Sequence, residues 1–405
     1  MMRRWLPWVL LAALPFLARC AQQTAPAAQL GSPVAAVLPM PSAPVQFDEA
    51  VLSAGNAVLT AAAATTDIPQ TLVIDPLVNG VTGEQSHSTR EIGSRLVNLI
   101  HQSYPKLQVE PFTASTVNTA RYVMIGTFTP VNAVNQFAGT REAYRFCLVI
   151  ADLKSGKIIA KRVVRSTPDG IDGTPTRFFV DSPAWTNDPG MKSYIDACQM
   201  TKVGDPIPPA YLNGLLTAAM ISQAIDEYDA GHYGQALDLY KTARMTPAGD
   251  QLRIYNGLYL VYSRLDQRAQ AVAAFGDIVD DGLRNNRLAV KLLFRPSSTA
   301  FVTQPQTGGG YDMWLQQIAD HSASAKACLL VTGHTSASGS AILNQRLSVL
   351  RAEYVKGRLE SDSAALRSHI IADGKGADET LVGTGADSGS DALDRRVEFK
   401  VIQTC

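Results

Sequence analysis

Hydrophobic and polar positions change rhythm several times along the chain, and each change marks a different element. Residues 1–20 place Arg3 and Arg4 ahead of an apolar run from Trp5 to Leu17. That run is too short for a membrane-spanning helix and has the layout of a secretory signal. Residues 21–64 form a Pro/Ala-rich tether: Pro26, Pro33, Pro39, Pro41 and Pro44 stand among alanines and glutamines without charge up to Gln46, a composition that extends rather than packs. An alanine-rich helix is predicted over Asp48–Ala64 at its end. In residues 65–205 the β-branched run Thr71–Val78 predicts a strand. A capping box at Ser88-Thr89-Arg90-Glu91 then opens a helix with Ile92, Leu96, Leu99 and Ile100 on one face. Leu107–Phe112 and Tyr122–Thr129 read as strands, and Tyr144–Ala151 with Lys157–Arg165 as a hairpin across Asp152–Gly156. This order predicts an α+β sheet with the helix on one face. Phe178–Pro189, carrying Trp185, reads as a long aromatic loop that either docks a partner or caps its own core. In residues 206–286 the period becomes 3.6, so the segment is helical. Residues 287–405 bring a strand at Ala327–Thr332, a glycine-punctuated loop at Gly333–Ser340, and a helix through Leu343, Leu347, Leu350 and Tyr354. A final strand, Arg396–Ile402, alternates Val397, Phe399 and Val401 with polar residues. The fold class is therefore multidomain α+β: a sheet domain, a helical segment and a C-terminal α/β sandwich.

Composition narrows the function. The chain has 405 residues, with 36 Lys plus Arg against 36 Asp plus Glu, so its net charge is zero. That balance removes the electrostatic reason to expect a nucleic-acid partner. Six scattered histidines include no metal-binding motif, and the glycines at 308–310 and 383–385 lack the strand-to-helix setting of a phosphate cradle. Gly385-Ala386-Asp387-Ser388-Gly389 reads as a loop rather than a nucleophile elbow. We therefore expect no enzyme activity, no cofactor and no metal. Besides Cys20, the cysteines Cys147, Cys198, Cys328 and Cys405 are even in number and allow three pairings. Cys147 and Cys198 fall in one proposed domain and Cys328 and Cys405 in another. An oxidising compartment would permit one bridge in each, the alternative being four buried thiols.

Three segments resemble known families. Leu17-Ala18-Arg19-Cys20 resembles the lipobox of bacterial lipoproteins, which implies acylation of Cys20. Arg19 departs from the small residue that the family uses there, so cleavage near Ala18–Ala21 or an uncleaved anchor stays open. Ala21 is not the aspartate that retains lipoproteins in the inner membrane, and the sorting rule then implies the outer membrane, with acyl chains as the anchor. The pattern "LVIDPLVNG", helix, "YVMIGTFTPV", "CLVIADLKSGKIIAKRVV" resembles the envelope domain of penicillin-binding-protein activator and curli-secretion lipoproteins, implying a protein-binding module. Gly231, Tyr233, Ala236, Tyr240 and Ala243, followed by Tyr262, Ala271 and Phe275, resemble a pair of tetratricopeptide repeats, again implying protein binding. A plain helical spacer remains open, and two such repeats are too few to bury their own faces, so they are expected to lean on a neighbour.

The most specific resemblance lies in residues 287–405. "VTGHTSASGSAILNQRLSVLRAEYV" followed by "GTGADSGSDALDRRVEFKV", with "VKLLFRPSSTAF" as first strand, resembles the OmpA-like peptidoglycan-binding domain. That family holds the zwitterionic diaminopimelate of the peptidoglycan stem peptide, and the resemblance implies Thr335, Ser336, Asn344, Arg351, Asp394, Arg395 and Arg396 as site residues. Arg351 matches the arginine that grips the carboxylate, the geometry a guanidinium suits best. Ser336 replaces the aspartate that pairs with the ammonium, leaving Asp387, Asp391 or Asp394 as substitutes, and Asp394 replaces the usual asparagine before Arg395-Arg396. For those two arginines, ordering of the ligand loop and a surface ion pair with Asp391 or Asp394 are both open, while His334 reads as a packing residue. The expected protein is a lipid-anchored envelope tether between outer membrane and peptidoglycan, its partners being the stem peptide, the membrane and envelope proteins. A soluble periplasmic location is the alternative. The alternative function is an assembly or regulatory adaptor whose C-terminal domain binds peptidoglycan weakly or not at all.

Overall fold

Residues 43–137, 141–303, 310–381 and 390–405 are described by a computed structural model. The signal segment, Cys20, the tether up to residue 42, Gly308 and Gly309, and the stretch 382–389 with Asp387 lie outside the described residues. From Pro41 to Cys405 the chain forms one compact unit.

The first helix, α1 (Phe47–Ala63), buries Phe47, Ala50, Val51, Ala54, Val58 and Leu59. That helical spacing lays one apolar stripe on the first sheet rather than leaving the segment as tether. Strand β1 (Gln70–Ile74) leads to α2 (His87–Ser103). Its N-cap is Ser86, two residues ahead of the predicted box: Ser86 Oγ accepts from Thr89 N–H at 3.2 Å, and Thr89 Oγ accepts from Ser86 N–H at 2.8 Å. Ser88 is buried inside the first turn. Next come β2 (Leu107–Glu110), the single turn α3 (Ala114–Val117), β3 (Tyr122–Val131), β4 (Ala143–Asp152) and β5 (Lys157–Ser166). Spatial order is β2-β1-β3-β4-β5, with β1 parallel to both neighbours and β3, β4 and β5 antiparallel.

Both faces of this sheet are covered, where the sequence suggested one. Leu72, Met124, Phe146 and Leu148 meet α1 and α2, while Val73, Val123, Ile125 and Val149 face the other way. There they pack on α5 (Pro189–Gln199) and the start of α6 (Pro209–Ala230). The near-continuous burial of β3 and β4 is the mark of strands enclosed on both sides. A disulfide joins Cys147 on β4 to Cys198 on α5, with Cα atoms 6.1 Å apart.

The segment read as an aromatic loop instead forms α4 (Arg177–Asp181) and then pairs with a distant strand. Phe178, Phe179 and Trp185 are buried in the core shared with the second sheet, as the core-capping alternative expects, while Val180 stays exposed. Trp185 N–H donates to Ala289 O at 2.8 Å, and Lys291 N–H to Pro183 O at 2.7 Å. These residues extend the edge of β6 (Arg287–Leu293), which covers backbone groups that an edge strand would otherwise expose.

Four helices lie between the sheets: α6, α7 (Tyr233–Arg244), α8 (Leu252–Arg264) and α9 (Arg268–Arg284). They share one core with the second sheet. Phe275 of α9 stacks on Trp314 of α10 (Gly310–Ser324) at 5.5 Å, and the indole donates to Tyr259 Oη at 2.8 Å. Helices α7 and α8 approach so closely that a Cβ on Gly257 would lie 2.1 Å from the Tyr240 ring. A Gly-to-Ala change usually favours a helix, but Gly257→Ala is expected to destabilise by about 1–3 kcal/mol through overpacking, seen as a lowered thermal midpoint.

The second sheet is completed by β7 (Cys328–Gly333), α11 (Ala341–Asp362), β8 (Ile370–Gly374) and β9 (Arg396–Ile402), in the order β6-β9-β7-β8. Cys328 and Cys405 form its disulfide, with Cα atoms 5.4 Å apart. The molecule is thus multidomain α+β with two mixed sheets. Among the described residues no helix is long and apolar enough to cross a membrane.

Candidate functional site

The end of β7 meets the middle of α11 at contact distance: a Cβ on Gly333 would fall 1.9 Å from Ser348 O, so glycine is required for the strand and helix to close. The chain then makes the loop 334–340 and enters α11 at Ser340, whose Oγ accepts from Leu343 N–H at 3.3 Å. Asn344, Ser348 and Arg351 form one buried stripe of α11 facing that loop. Asn344 Nδ2 donates to Ser338 O at 2.9 Å and Ser336 O at 3.4 Å. Ser348 Oγ accepts from Gly376 N–H at 2.9 Å, and Thr335 N–H donates to Gly376 O at 2.8 Å. Ser336 Oγ lies 3.2 Å from Ser338 Oγ. Thr335 Oγ1 is buried, with no hydrogen-bond partner among the described residues.

Arg351 is fully buried. Its Nη1 donates to His334 O at 2.8 Å, Nη2 to Arg295 O at 3.0 Å and Nε to Ser298 O at 3.0 Å, while the guanidinium lies 5.2 Å from the Phe294 ring centroid. The planar fork thereby joins the loop after β7 to the segment after β6. Arg395 reaches that segment from the other side, donating through Nε to Phe294 O at 3.1 Å, and Phe294 N–H donates back to Arg395 O at 2.8 Å. Seven residues separate Asn344 from Arg351 in sequence, so their common face was legible there. The acceptors of Arg351 were not, since Arg295 and Ser298 are more than fifty positions away.

Asp391 and Asp394 are wholly buried, and Asp394 Oδ1 accepts from Leu381 N–H at 2.5 Å. Arg396 is buried as well and pairs through Nε with Glu398 Oε1 at 2.7 Å. It is therefore not in a surface ion pair with Asp391 or Asp394. Alternation explains this: Arg396 and Glu398 are two apart on β9 and project to the same side. His334 is buried, and burial, aided by the Arg396 charge, pushes its imidazole down to about 3, so the ring is neutral at physiological pH.

A further residue at this site carries no sequence signal. Arg141, just before β4, donates through Nη2 to Thr380 O at 3.0 Å, across 239 residues of chain. Burial pulls its guanidinium below its ordinary range while the Asp394 charge acts in the opposite sense. The first sheet thus contributes a cation beside Asp394. Among the described residues no group of three or more His, Cys, Asp or Glu side chains is arranged to hold a metal.

A separate groove of about 620 Å³ opens at the carboxyl ends of the parallel strands β1 and β2. Ile74, Pro76, Val97 and Phe112 line it together with Arg90, Glu110 and Asp226. Arg90 spans it, with ion pairs to Asp226 and Asp229 at 2.9 Å each.

No protein-family model matches the chain, and no curated protein matches it. Among solved structures it is similar to the peptidoglycan-associated lipoprotein from Burkholderia pseudomallei, with 25% identity over 28% of this chain and 89% of that one and a TM-score of 0.24. It is also similar to the cell wall anchor of the T6SS from Pseudomonas aeruginosa, with 26% identity over 32% and 96% of the two chains and a TM-score of 0.24. An OmpA-like domain from Francisella tularensis subsp. tularensis is similar at 20% identity over 29% and 75%, with a TM-score of 0.22.

Proposed function

We propose that this is a non-catalytic envelope protein whose C-terminal domain holds the peptidoglycan stem peptide and whose lipidated Cys20 holds the outer membrane, making it a tether between the two. The supporting observation is the loop 334–340, pinned by Asn344 and Arg351 from one stripe of α11. A loop already ordered by buried donors binds a peptide without the entropic cost of ordering itself. In this reading Arg351 and Arg395 set the carboxylate half of the site. Thr335 and Ser336 stand at the ammonium half, with the buried Asp394 beneath it, and Arg396 braces β9 behind it.

The test is sedimentation of residues 41–405 with insoluble peptidoglycan, beside Ser336→Asp and Arg351→Ala. We expect the parent chain to sediment and Ser336→Asp to bind about tenfold more tightly or better, because a charge-assisted hydrogen bond of about 1.5–3 kcal/mol is restored. Arg351→Ala is expected to abolish sedimentation, with circular dichroism recorded in parallel since this arginine also braces the fold. No sedimentation of the parent, with gain in Ser336→Asp, would retire the wall-anchor reading.

A second reading, an adaptor of a secretion or wall-synthesis machine, is favoured by the groove at β1 and β2. Parallel sheets commonly bind ligands beyond their carboxyl edges, and this groove presents both charges and apolar surface.

A further inference from the structure

Helix α11 buries one face against the second sheet and leaves the opposite face strongly apolar. Ile342 and Leu343 are 82% and 66% exposed, and Leu350 and Tyr354 are exposed on the same side. Monomeric proteins scatter such residues singly, so a concentration on one helix face marks an interaction surface. In the middle of this face stand one cation and one anion, Arg346 and Glu353, both exposed and with no ion pair among the described residues. Further along is Gly357, in the interior of a long helix where a Cβ would meet nothing. The monomer gives no steric reason for that glycine, which is among the poorest helix formers.

These features share a single symmetry. Ile342 and Val349, Arg346 and Glu353, and Leu350 and Gly357 are each seven residues apart, the repeat of a left-handed helix pair. When a second α11 is laid antiparallel about a twofold axis between Val349 and Leu350, Arg346 of each copy falls opposite Glu353 of the other. The same axis brings Ile342 of each copy over Gly357 of the other and packs Val349 against Leu350. One register thus accounts for the two unpaired charges, the exposed isoleucine and the glycine. We propose that the protein forms a twofold homodimer through antiparallel packing of α11. The face is self-complementary, as an isologous interface must be, and a groove of about 640 Å³ beside it, lined by Ile342, Val349 and Leu350, adds to the surface available to the second copy.

Analytical ultracentrifugation of residues 41–405 at about 100 µM, a concentration that populates even a small interface, tests this. The parent is expected to be dimeric. Arg346→Glu places like charges opposite each other twice and should weaken association about tenfold or more. Arg346→Glu with Glu353→Arg recreates the pairs and should restore it. Gly357→Leu has open space in the monomer and should fold normally yet remain monomeric, since the new side chain occupies the place of Ile342 from the other copy. A parent that stays monomeric overturns the proposal, whatever other protein the face then serves. So does a dimer indifferent to Arg346→Glu and Gly357→Leu, or a charge swap that fails to restore association.

Discussion

Lys291→Met is expected to lower the unfolding free energy by about 3–5 kcal/mol, because it leaves a buried carboxylate without its countercharge. Lys291 Nζ lies 2.5 Å from Glu84 Oε1 and 3.1 Å from Phe179 O, with the ammonium 4.6 Å from the Trp185 ring centroid. Both charged side chains are about 95% buried. Glu84 belongs to the loop after β1, and Lys291 to β6, 207 residues later. The pair therefore fixes the first sheet to the second, on the same strand edge that residues 183–185 cover. Glu84→Gln alone should destabilise in the same sense. Lys291→Met combined with Glu84→Gln should recover most of the loss, since no unpaired charge remains. Urea unfolding of residues 41–405 and the two single variants decides this: single losses below about 1 kcal/mol would mean that the pair does not hold the sheets together. If the sheets loosen, the Arg141 contact with Thr380 O is lost with them.

Asp75→Asn is expected to stabilise the protein progressively as pH rises. Asp75 follows β1 and sits beside the groove residues Ile74 and Pro76. Burial pushes its carboxyl up to about 7, against the Tyr211 hydroxyl at 2.8 Å and the Arg253 charge, which act to lower it. The folded state thus keeps a proton that the unfolded chain loses near about pH 4. Between about pH 4 and 7 the folded state binds more protons than the unfolded, so this group makes stability fall with rising pH and then level off. Three pKa units correspond to about 4 kcal/mol. Asparagine keeps an oxygen acceptor for Tyr211 without the ionisation. The variant should match the parent near about pH 4 and exceed it by up to about 4 kcal/mol near about pH 8. Asp281, raised to about 6 by burial, acts in the same direction. His334, pushed down to about 3, acts in the opposite one and makes stability rise with pH up to about 6.5. The difference between variant and parent isolates Asp75, and an equal gain at all pH values would show that its proton is not the cause.

Local signals were legible wherever a short stretch satisfied its own chemistry. The strands near Tyr122–Thr129 and Tyr144–Ala151 carry runs of β-branched and aromatic residues bounded by turn residues, and β3 and β4 form there with one or two residues added at the ends. The helix cap was misplaced by two residues because Ser86, Ser88 and Thr89 all offer capping oxygens, and only the buried first turn chooses among them. Within the candidate site, the seven-residue spacing placed Asn344 and Arg351 on one face, since helical periodicity is a property of sequence alone.

What the sequence by itself determined is the succession of elements, the even cysteines, the neutral charge balance and the pattern of the loop 333–340 with its following helix. The tertiary structure alone decided which carbonyls Arg351 holds, which cysteines meet and how Arg396 turns toward Glu398. It also decided that the aromatic segment completes the edge of β6 and that Arg141 arrives beside Asp394. The physical reason is that periodicity and capping act within a few residues, whereas buried donors and charges must find partners wherever the packed chain brings them, here up to 239 residues away.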